Sequence, residues 1–168
     1  LRFFEDCGIE FQLVRSFTDH YFGIAPGACK FGRTLETSLV CGDELGVWQG
    51  KVLVPPAPYR VNGDEMVAWS GMNNAIHWPV ETMNERGRRD TRGLGVGLVS
   101  HFLKALIKHG GAPRLACGAQ RLIVEEGRVT GVQTAEGECI MARKGGVIAS
   151  GGYESNARQR GISPRKPG

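Results

Sequence analysis

The chain has 168 residues, of which 41% are hydrophobic and 23% charged, and these values exclude a fibrous or disordered protein while allowing one domain with a real core. Its net charge of +4 comes from 21 Lys and Arg against 17 Asp and Glu. Much of the excess positive charge lies in two clusters, and no aromatic residues are interleaved with their arginines, so nucleic-acid binding is not expected. The clusters are Arg86, Arg88, Arg89 and Arg92, and Arg158, Arg160, Arg165 and Lys166. No run reaches the roughly 18 apolar residues of a membrane span, so none is predicted.

The cysteine pattern is typical of a reducing compartment. An odd number of cysteines without a CxxC pair argues against a disulfide framework and against a zinc site. We therefore expect a cytoplasmic protein. The sequence shows no basic-then-apolar leader, and it begins at Leu1 rather than at a methionine, which favours a piece of a longer protein. The cysteines are Cys7, Cys29, Cys41, Cys117 and Cys139.

The first 60 residues are predicted to be rich in loops. Residues 1 to 14 fit a helix end followed by a short strand, with Gly8 between them. Turn pairs such as Pro26-Gly27 and the stiff segment Val54–Pro58 mark the rest. Within this stretch, Asp19-His20-Tyr21 brings a carboxylate, an imidazole and a phenol into one loop, a set that can transfer protons. Ordinary loop polarity is the alternative.

Residues 61 to 92 form a connector whose sequence contains few patterns that predict secondary structure. Trp69 and Trp78 are predicted to be packing anchors because large aromatic side chains dominate core contacts. The charged run from Asn84 to Arg92 gives only a weak helical pattern.

A helix is predicted from residue 93 onward. Gly110-Gly111 supplies its left-handed C-terminal turn, and Pro113 prevents continuation. His101 and His109 lie on this helix about 12 Å apart, too far to share a metal ion. Both are expected at the surface, and no metal site is predicted. The expected packed face consists of Leu98, Val99, Phe102, Leu103, Leu106 and Ile107.

The glycine-rich entry to this helix, Arg92–Gly97, can turn backbone N–H groups toward an anion or a polar ring edge. A packing role is the alternative, because the entry lacks the preceding strand and the downstream acidic residue of a dinucleotide fingerprint. GxGxxG and GxxxxGK[ST] are both absent from the chain.

Three short strands are predicted next. Arg121–Glu125 and Arg128–Gln133 flank Glu126-Gly127, which is the spacing of a two-residue hairpin. A third strand runs from Glu138 to Arg143, and Val147–Ala149 is predicted as a further strand. The predicted class is therefore α/β or α+β, with a small antiparallel meander and a glycine-flanked amphipathic helix.

The turn after Val147–Ala149 carries Gly151-Gly152 and leads into a helix-like segment. Glycine has no Cβ to hold a ligand away, so such a turn lets backbone N–H groups approach an anionic or ribose-like group. An ordinary glycine-rich strand end is the alternative.

Six segments, taken in order, resemble the FAD-dependent 3-ketosteroid dehydrogenases of the fumarate reductase and succinate dehydrogenase flavoprotein superfamily. Their order and spacing carry the resemblance, which runs over nearly the whole chain. The segments are Phe17–Tyr21, Gly32–Leu35, Leu45-Gly46, Arg92–Gly95, Leu122–Val132, and Ala149–Tyr153 with Asn156.

The resemblance implies a flavoprotein in which FAD accepts a hydride while two hydrogens leave adjacent carbons of a steroid-like ketone. It implies that the Tyr21 phenol lines the substrate pocket and assists proton removal, although His20 stands where relatives often have a second tyrosine. The residues that it places beside FAD are Gly93, Gly95 and Gly97 towards the flavin ring, Gly118 and Ala119 by the adenine, and Ala149, Ser150, Gly151 and Gly152 by the nucleotide.

Three parts of the family pattern are missing: the N-terminal βαβ unit with GxGxxG, the substrate cap and the second flavin-binding segment. Residues 1–168 are therefore expected to form a single partial FAD-binding domain, best defined over 93–160. We expect the isolated chain to bind flavin poorly, to be inactive and to be capable of self-association through exposed apolar edges. Two alternatives stay open: a fumarate-reductase-like flavoprotein that uses Arg92, and a non-catalytic binding or interaction module.

Overall fold

The computed structural model describes residues 1–19, 23–55, 59–152 and 156. The chain divides into two compact units, Leu1–Ala112 and Pro113–Gly168. Helices and small antiparallel sheets both occur, so the predicted mixed class is confirmed. Within the described ranges, none of the helices has the length and apolarity that crossing a membrane requires.

The first unit combines short strand pairs with helices. The helix end and short strand predicted for residues 1–14 are present, but the stretch 15–60 holds two strands and a 3₁₀ segment, Gly42–Lys51, that the sequence did not indicate. Strands of two or three residues are too short to leave a period of two in the sequence. The helices are α1 (Arg2–Asp6), α2 (Gly63–Ala68), α3 (Val80–Arg88) and α4 (Leu94–Lys108), and the strands are β1 (Phe11–Leu13), β2 (Leu35–Thr37), β3 (Val40–Cys41) and β4 (Thr91–Arg92).

Helix α4 ends where the sequence predicts. Gly110 has a φ of 78° and donates its N–H to Ile107 O at 2.9 Å, while Gly111 donates to Leu106 O at 2.9 Å. These two bonds form a Schellman motif, which satisfies carbonyls of the last helical turn. The predicted C-terminal turn is confirmed.

The buried face of α4 is not the predicted one. Gly97, Ser100, His101 and Ala105 are buried, and α4 packs on β2, β3, β4 and the 3₁₀ segment. The prediction that His101 lies at the surface is wrong, since it is 8% exposed and its Nε2 lies 3.0 Å from Ser38 O. Small side chains allow the helix to approach the strands closely, and the hydrogen bond satisfies the buried imidazole. The larger apolar side chains remain at least partly exposed, among them Leu98, Val99, Phe102 and Leu106.

The tryptophan anchors are confirmed in the first unit. Trp78 is 3% exposed, its ring centroid lies 5.7 Å from that of Trp69, and its Nε1 donates to Trp69 O at 3.0 Å. This contact joins the end of α2 to the start of α3. The buried apolar residues of the unit are Ile9, Val14, Val40, Leu45, Tyr59, Val61, Trp78 and Ala105.

The second unit is a three-stranded antiparallel sheet in the order β5 (Ala119–Glu125), β6 (Arg128–Thr134), β7 (Cys139–Met141). The predicted hairpin is confirmed, and positive φ values of 50° at Glu126 and 77° at Gly127 match the type I′ turn. The strand predicted at Val147–Ala149 is wrong, because these residues carry no strand pairing. Val147 and Ile148 are 92% and 75% exposed, so no described neighbour supports a strand there.

Candidate functional site

The helix entry predicted to lie towards the flavin begins at Gly93, where the main chain is held by close packing. The N–H of Gly93 donates to Tyr59 O at 2.8 Å. A Cβ at this position would lie 2.2 Å from Val61 O and 2.7 Å from Leu39 Cδ2. Gly93 is therefore required by the fold, which fits the packing alternative for this residue.

Gly95 and Gly97 differ in their surroundings. A Cβ at Gly97 would lie 3.1 Å from Arg92 O, which is tight, whereas a Cβ at Gly95 would meet no atom within 4 Å. No side chain caps the N-terminus of α4, and Leu94 has a φ of 50°. A leucine in the left-handed region costs about 1–2 kcal/mol, and such strain tends to persist where a ligand is bound. Gly95 therefore marks the open side of the helix entry.

Arg92, immediately before Gly93, is a buried side chain held by several hydrogen bonds. It is 1% exposed, and it donates from Nη2 to Asp90 Oδ2 at 2.6 Å and to Gln49 O at 2.9 Å. A third bond runs from Nε to Asp90 Oδ2 at 3.2 Å, and a long one of 3.5 Å from Nη1 reaches Ser100 Oγ. These bonds fix the chain direction at the start of α4.

Asp90 is the counter-ion of this cluster. Burial raises the pKa of Asp90, but hydrogen bonds from Arg92 and Gln49 and the charges of Arg92 and Arg60 outweigh it, so the pKa lies below its usual range. A Cβ at Gly42 would lie 1.9 Å from Asp90 Oδ2, so glycine is needed opposite the carboxylate. Sequence reasoning missed this cluster because Gln49 and Arg92 are 43 residues apart.

Asp19, two residues before the predicted catalytic tyrosine in the sequence, is bound by residues further along the chain. Its Oδ2 accepts from the N–H of Cys29 at 2.8 Å and from Nε of Arg33 at 2.9 Å, and Nη2 of Arg33 also donates to it. The Cys29 N–H and then the Arg33 guanidinium hold the pKa of Asp19 below its usual range. Asp19 is thus held in place by these two partners, while His20 and Tyr21 of the predicted proton-transfer set lie outside the described residues.

This ion pair also connects two of the segments on which the family resemblance rests. Asp19 belongs to Phe17–Tyr21, and Arg33 belongs to Gly32–Leu35. Arg33 further donates from Nη2 to Gly27 O at 2.8 Å, which ties the middle of the loop to its end. Asp19 and Arg33 therefore join these two segments directly, a relation that the sequence did not reveal.

In the second unit, Gly118 and Ala119, which are predicted to lie next to the adenine, are found at the start of the edge strand β5. Gly118 O accepts from the N–H of Ala135 at 2.8 Å, and Ala119 pairs with Thr134. Both Gly118 and Ala119 are exposed. Their outer main-chain edge is not covered by another described strand.

Residues Ala149–Gly152, which are predicted to lie next to the nucleotide part of FAD, have no regular secondary structure and are exposed. Gly151 has a φ of 80°, and a Cβ there would meet no atom within 4 Å. The main chain is therefore bare on this segment, as glycine-assisted approach to a ligand requires. The five cysteines are free, and no three metal-binding side chains of the described residues converge on one point.

No protein-family model matches the sequence. Over 163 residues, the chain is 32% identical to the 4-oxocyclohexanecarboxylate 2-dehydrogenase of Sinomonas cyclohexanicum, and the match covers 92% of this chain and 27% of that protein. The fold is similar to the crystal structure of 3-ketosteroid delta1-dehydrogenase from Sterolibacterium denitrificans in complex with 1,4-androstadiene-3,17-dione. The TM-score is 0.72 at 23% identity, over 94% of this chain and 32% of that one.

The chain thus spans 27% and 32% of the length of the two proteins. The resemblance to 3-ketosteroid dehydrogenases inferred from the sequence is confirmed by these two matches, and the fold is similar to that of a part of the 3-ketosteroid delta1-dehydrogenase. Both similar proteins are dehydrogenases named for cyclic ketones.

Proposed function

We propose that this chain is part of an FAD-dependent dehydrogenase that removes two hydrogens from adjacent ring carbons of a cyclic ketone. The identity of 32% with a cyclic-ketone dehydrogenase, spread over nearly the whole chain, is the observation that carries the proposal. The substrate is a 3-ketosteroid or a smaller ketone of the same ring type. FAD, when bound, supplies the hydride acceptor.

The local geometry fits such a cofactor in each unit separately. In the first unit, uncapped amides at the start of α4 and the open side of Gly95 suit a polar ring edge. In the second unit, Ala149–Gly152 offers exposed main chain with a glycine at a φ of 80°. Gly93 and Gly97 keep the first segment in place, and Gly118 and Ala119 are proposed to lie by the adenine.

Tyr21 is the proposed catalytic group. A phenol can take part in removing a proton next to a ketone. In the sequence, Tyr21 follows by two residues the Asp19 carboxylate that Arg33 binds. Asp19 is a positioning residue in this proposal, since its carboxylate is already held by Cys29 and Arg33.

The fumarate-reductase-like alternative gains no support from Arg92. That chemistry needs a guanidinium free to bind a dicarboxylate, whereas Arg92 is 1% exposed and donates to Asp90, Gln49 and Ser100. The cost of stripping a buried arginine of its carboxylate partner makes this role unfavourable.

The test is steady-state turnover by the complete protein that carries this sequence, followed through reduction of an artificial electron acceptor. We expect turnover of 4-oxocyclohexanecarboxylate or a 3-ketosteroid, and no reduction of fumarate. Tyr21→Phe should lower kcat by about 100-fold or more with flavin content unchanged. The matched control is Tyr59→Phe, which removes a phenol from the buried core of the first unit. Fumarate reduction without ketone turnover would refute the proposal.

A flavin titration of the 168-residue chain is a separate test. The chain contains no GxGxxG turn to hold the pyrophosphate. Weak binding by absorbance and fluorescence is therefore expected, and tight stoichiometric binding would show that these residues suffice for FAD.

A further inference from the structure

One surface of the first unit is formed by apolar side chains that contact one another. The ring centroids of Phe3 and Phe4 are 5.3 Å apart, and those of Phe4 and Phe102 are 5.0 Å apart, both edge to face. Along α4, Leu98, Phe102 and Leu106 follow at intervals of four residues and lie on one helical stripe. The α1/α4 patch consists of Phe3, Phe4, Leu98, Val99, Phe102 and Leu106.

This patch is the reverse of the face by which α4 joins the unit. Gly97, Ser100, His101 and Ala105 already pack against the strands, so the helix is anchored without using its large apolar side chains. Apolar residues on an anchored helix that stay in contact with water favour a further partner. The patch is thus a candidate interaction surface.

The area of the patch approaches that of a protein interface. At roughly 200 Å² for a phenylalanine side chain, the exposed fractions of 71%, 38% and 37% leave about 300 Å² on Phe3, Phe4 and Phe102. The half-exposed Leu98, Val99 and Leu106 bring the total to about 500 Å². A standard interface buries about 800 Å² per partner, of which about 60% is apolar, so the patch supplies nearly the whole apolar part of one side.

The charges beside the patch permit an identical surface to face it. Arg2 lies on the same short helix as Glu5 and Asp6, next in the chain to Phe3 and Phe4 of the patch. A two-fold axis places each patch against its own copy. Because α1 carries both positive and negative side chains next to Phe3 and Phe4, such pairing does not bring only like charges together.

We propose that the α1/α4 patch is where a second copy of this chain docks, forming a two-fold dimer centred near Phe102. The proposal is independent of the catalytic one, because it requires only the chain and no flavin. Self-association was expected from the sequence, and the patch gives it a location.

Sedimentation velocity of the purified 168-residue chain over a wide concentration range tests the proposal. The expected species has twice the 18.2 kDa chain mass. Phe102→Glu should shift it to the monomer, whereas Ile76→Glu, at an 84% exposed apolar residue outside the patch, should leave the dimer intact. A wild-type chain that stays monomeric overturns the proposal and assigns the patch to another occupant, such as further polypeptide of a longer flavoprotein.

A second variant covers the case in which Phe102→Glu fails to fold. Val99→Lys changes a 53% exposed side chain that makes no ring contact. It should abolish the dimer while the far-ultraviolet circular dichroism of the chain stays unchanged. A dimer that survives Val99→Lys, or that Ile76→Glu disrupts equally, overturns the assignment to this patch.

Discussion

The helix entry of the first unit and the Ala149–Gly152 segment of the second differ in how their main chain is held. At the entry, Gly93 is enclosed by Val61 and Leu39, and the preceding Arg92 is bound by Asp90. In Ala149–Gly152, the residues are exposed and Gly151 has no neighbour within 4 Å of a Cβ. Glycine therefore serves packing in the first segment and leaves open main chain in the second. Substitutions should consequently affect stability in one segment and ligand approach in the other.

Gly93→Ala should give the largest effect. Its Cβ would lie 2.2 Å from Val61 O, a backbone atom that cannot move aside, so we expect a loss of about 3 kcal/mol. Urea unfolding followed by tryptophan emission measures it, because Trp48, Trp69 and Trp78 all belong to the first unit. Gly95→Ala is the matched control and should gain about 0.5–1 kcal/mol, since the site is helical and open. Equal losses in the two variants would show that the entry is not selectively packed.

Asp90→Asn should have the next largest effect on the same unit. Asparagine tolerates the φ of 48° at this position, so the change removes the charge with little backbone strain. The buried Arg92 then loses its counter-ion, and we expect a loss of about 2 kcal/mol. Asp43→Asn, at an exposed carboxylate of the same unit, is the control and should be close to neutral. A neutral result for Asp90→Asn would mean that the Arg92 contacts to Gln49 and Ser100 suffice.

The pH dependence of the first unit should follow from the same carboxylates. The pKa of Asp90 is below its usual range, and so is that of Glu65, where burial raises the pKa but the Arg86 and Asn62 hydrogen bonds outweigh it. Their stabilisation is present above the unfolded carboxyl pKa of about 4 and is lost as the pH falls through the lower folded values. The urea midpoint should therefore fall on acidification, and it should fall less steeply in Asp90→Asn. Identical pH profiles would exclude Asp90 as a source.

The elements predicted correctly have local causes. The Glu126-Gly127 turn and the Gly110-Gly111 helix end depend on residues within a few positions of one another, so the sequence is enough to place them. The buried face of α4 could not be read in this way. His101 is buried because Ser38 supplies an acceptor 63 residues away, and no periodicity encodes that partner.

The candidate site shows the same division. Gly93 and Gly95 follow the same pattern in the sequence, but Val61 and Leu39 distinguish them only once the chain is folded. The Val147–Ala149 strand was predicted from its apolar run, yet a strand exists only if another strand pairs with it. The prediction that these segments lie next to FAD came from the family resemblance. Neither the glycine pattern of the helix entry nor that of the Gly151-Gly152 turn could have given it alone.

Thr37→Val should have a smaller effect, in the stabilising direction. Thr37 is 2% exposed and its Oγ1 has no hydrogen-bond partner. Replacing the unpaired hydroxyl by a methyl group removes a desolvation cost, so we expect a gain of about 1 kcal/mol in tryptophan-detected unfolding. The Oγ1 of Thr130, in the second unit, is also buried without a hydrogen-bond partner, so Thr130→Val is the control. It should leave the tryptophan-detected unfolding unchanged, because the tryptophans belong to the first unit. A loss of stability in Thr37→Val would indicate that a bound water satisfies the hydroxyl.

Gly151→Ala should have the smallest effect on stability and so completes the contrast with Gly93. An alanine at a φ of 80° is strained by about 1–2 kcal/mol. The segment has no strand pairing and no close neighbour, so a local rearrangement relieves that strain. The tryptophan-detected urea midpoint should stay within about 0.5 kcal/mol of the wild type. If the proposed FAD site is correct, the same change in the complete protein should weaken flavin binding, because an added Cβ would hold the cofactor away from the main chain. Unchanged flavin affinity would show that Gly151 provides only a turn, whereas a large loss of first-unit stability would contradict the division between a packed and a bare glycine segment.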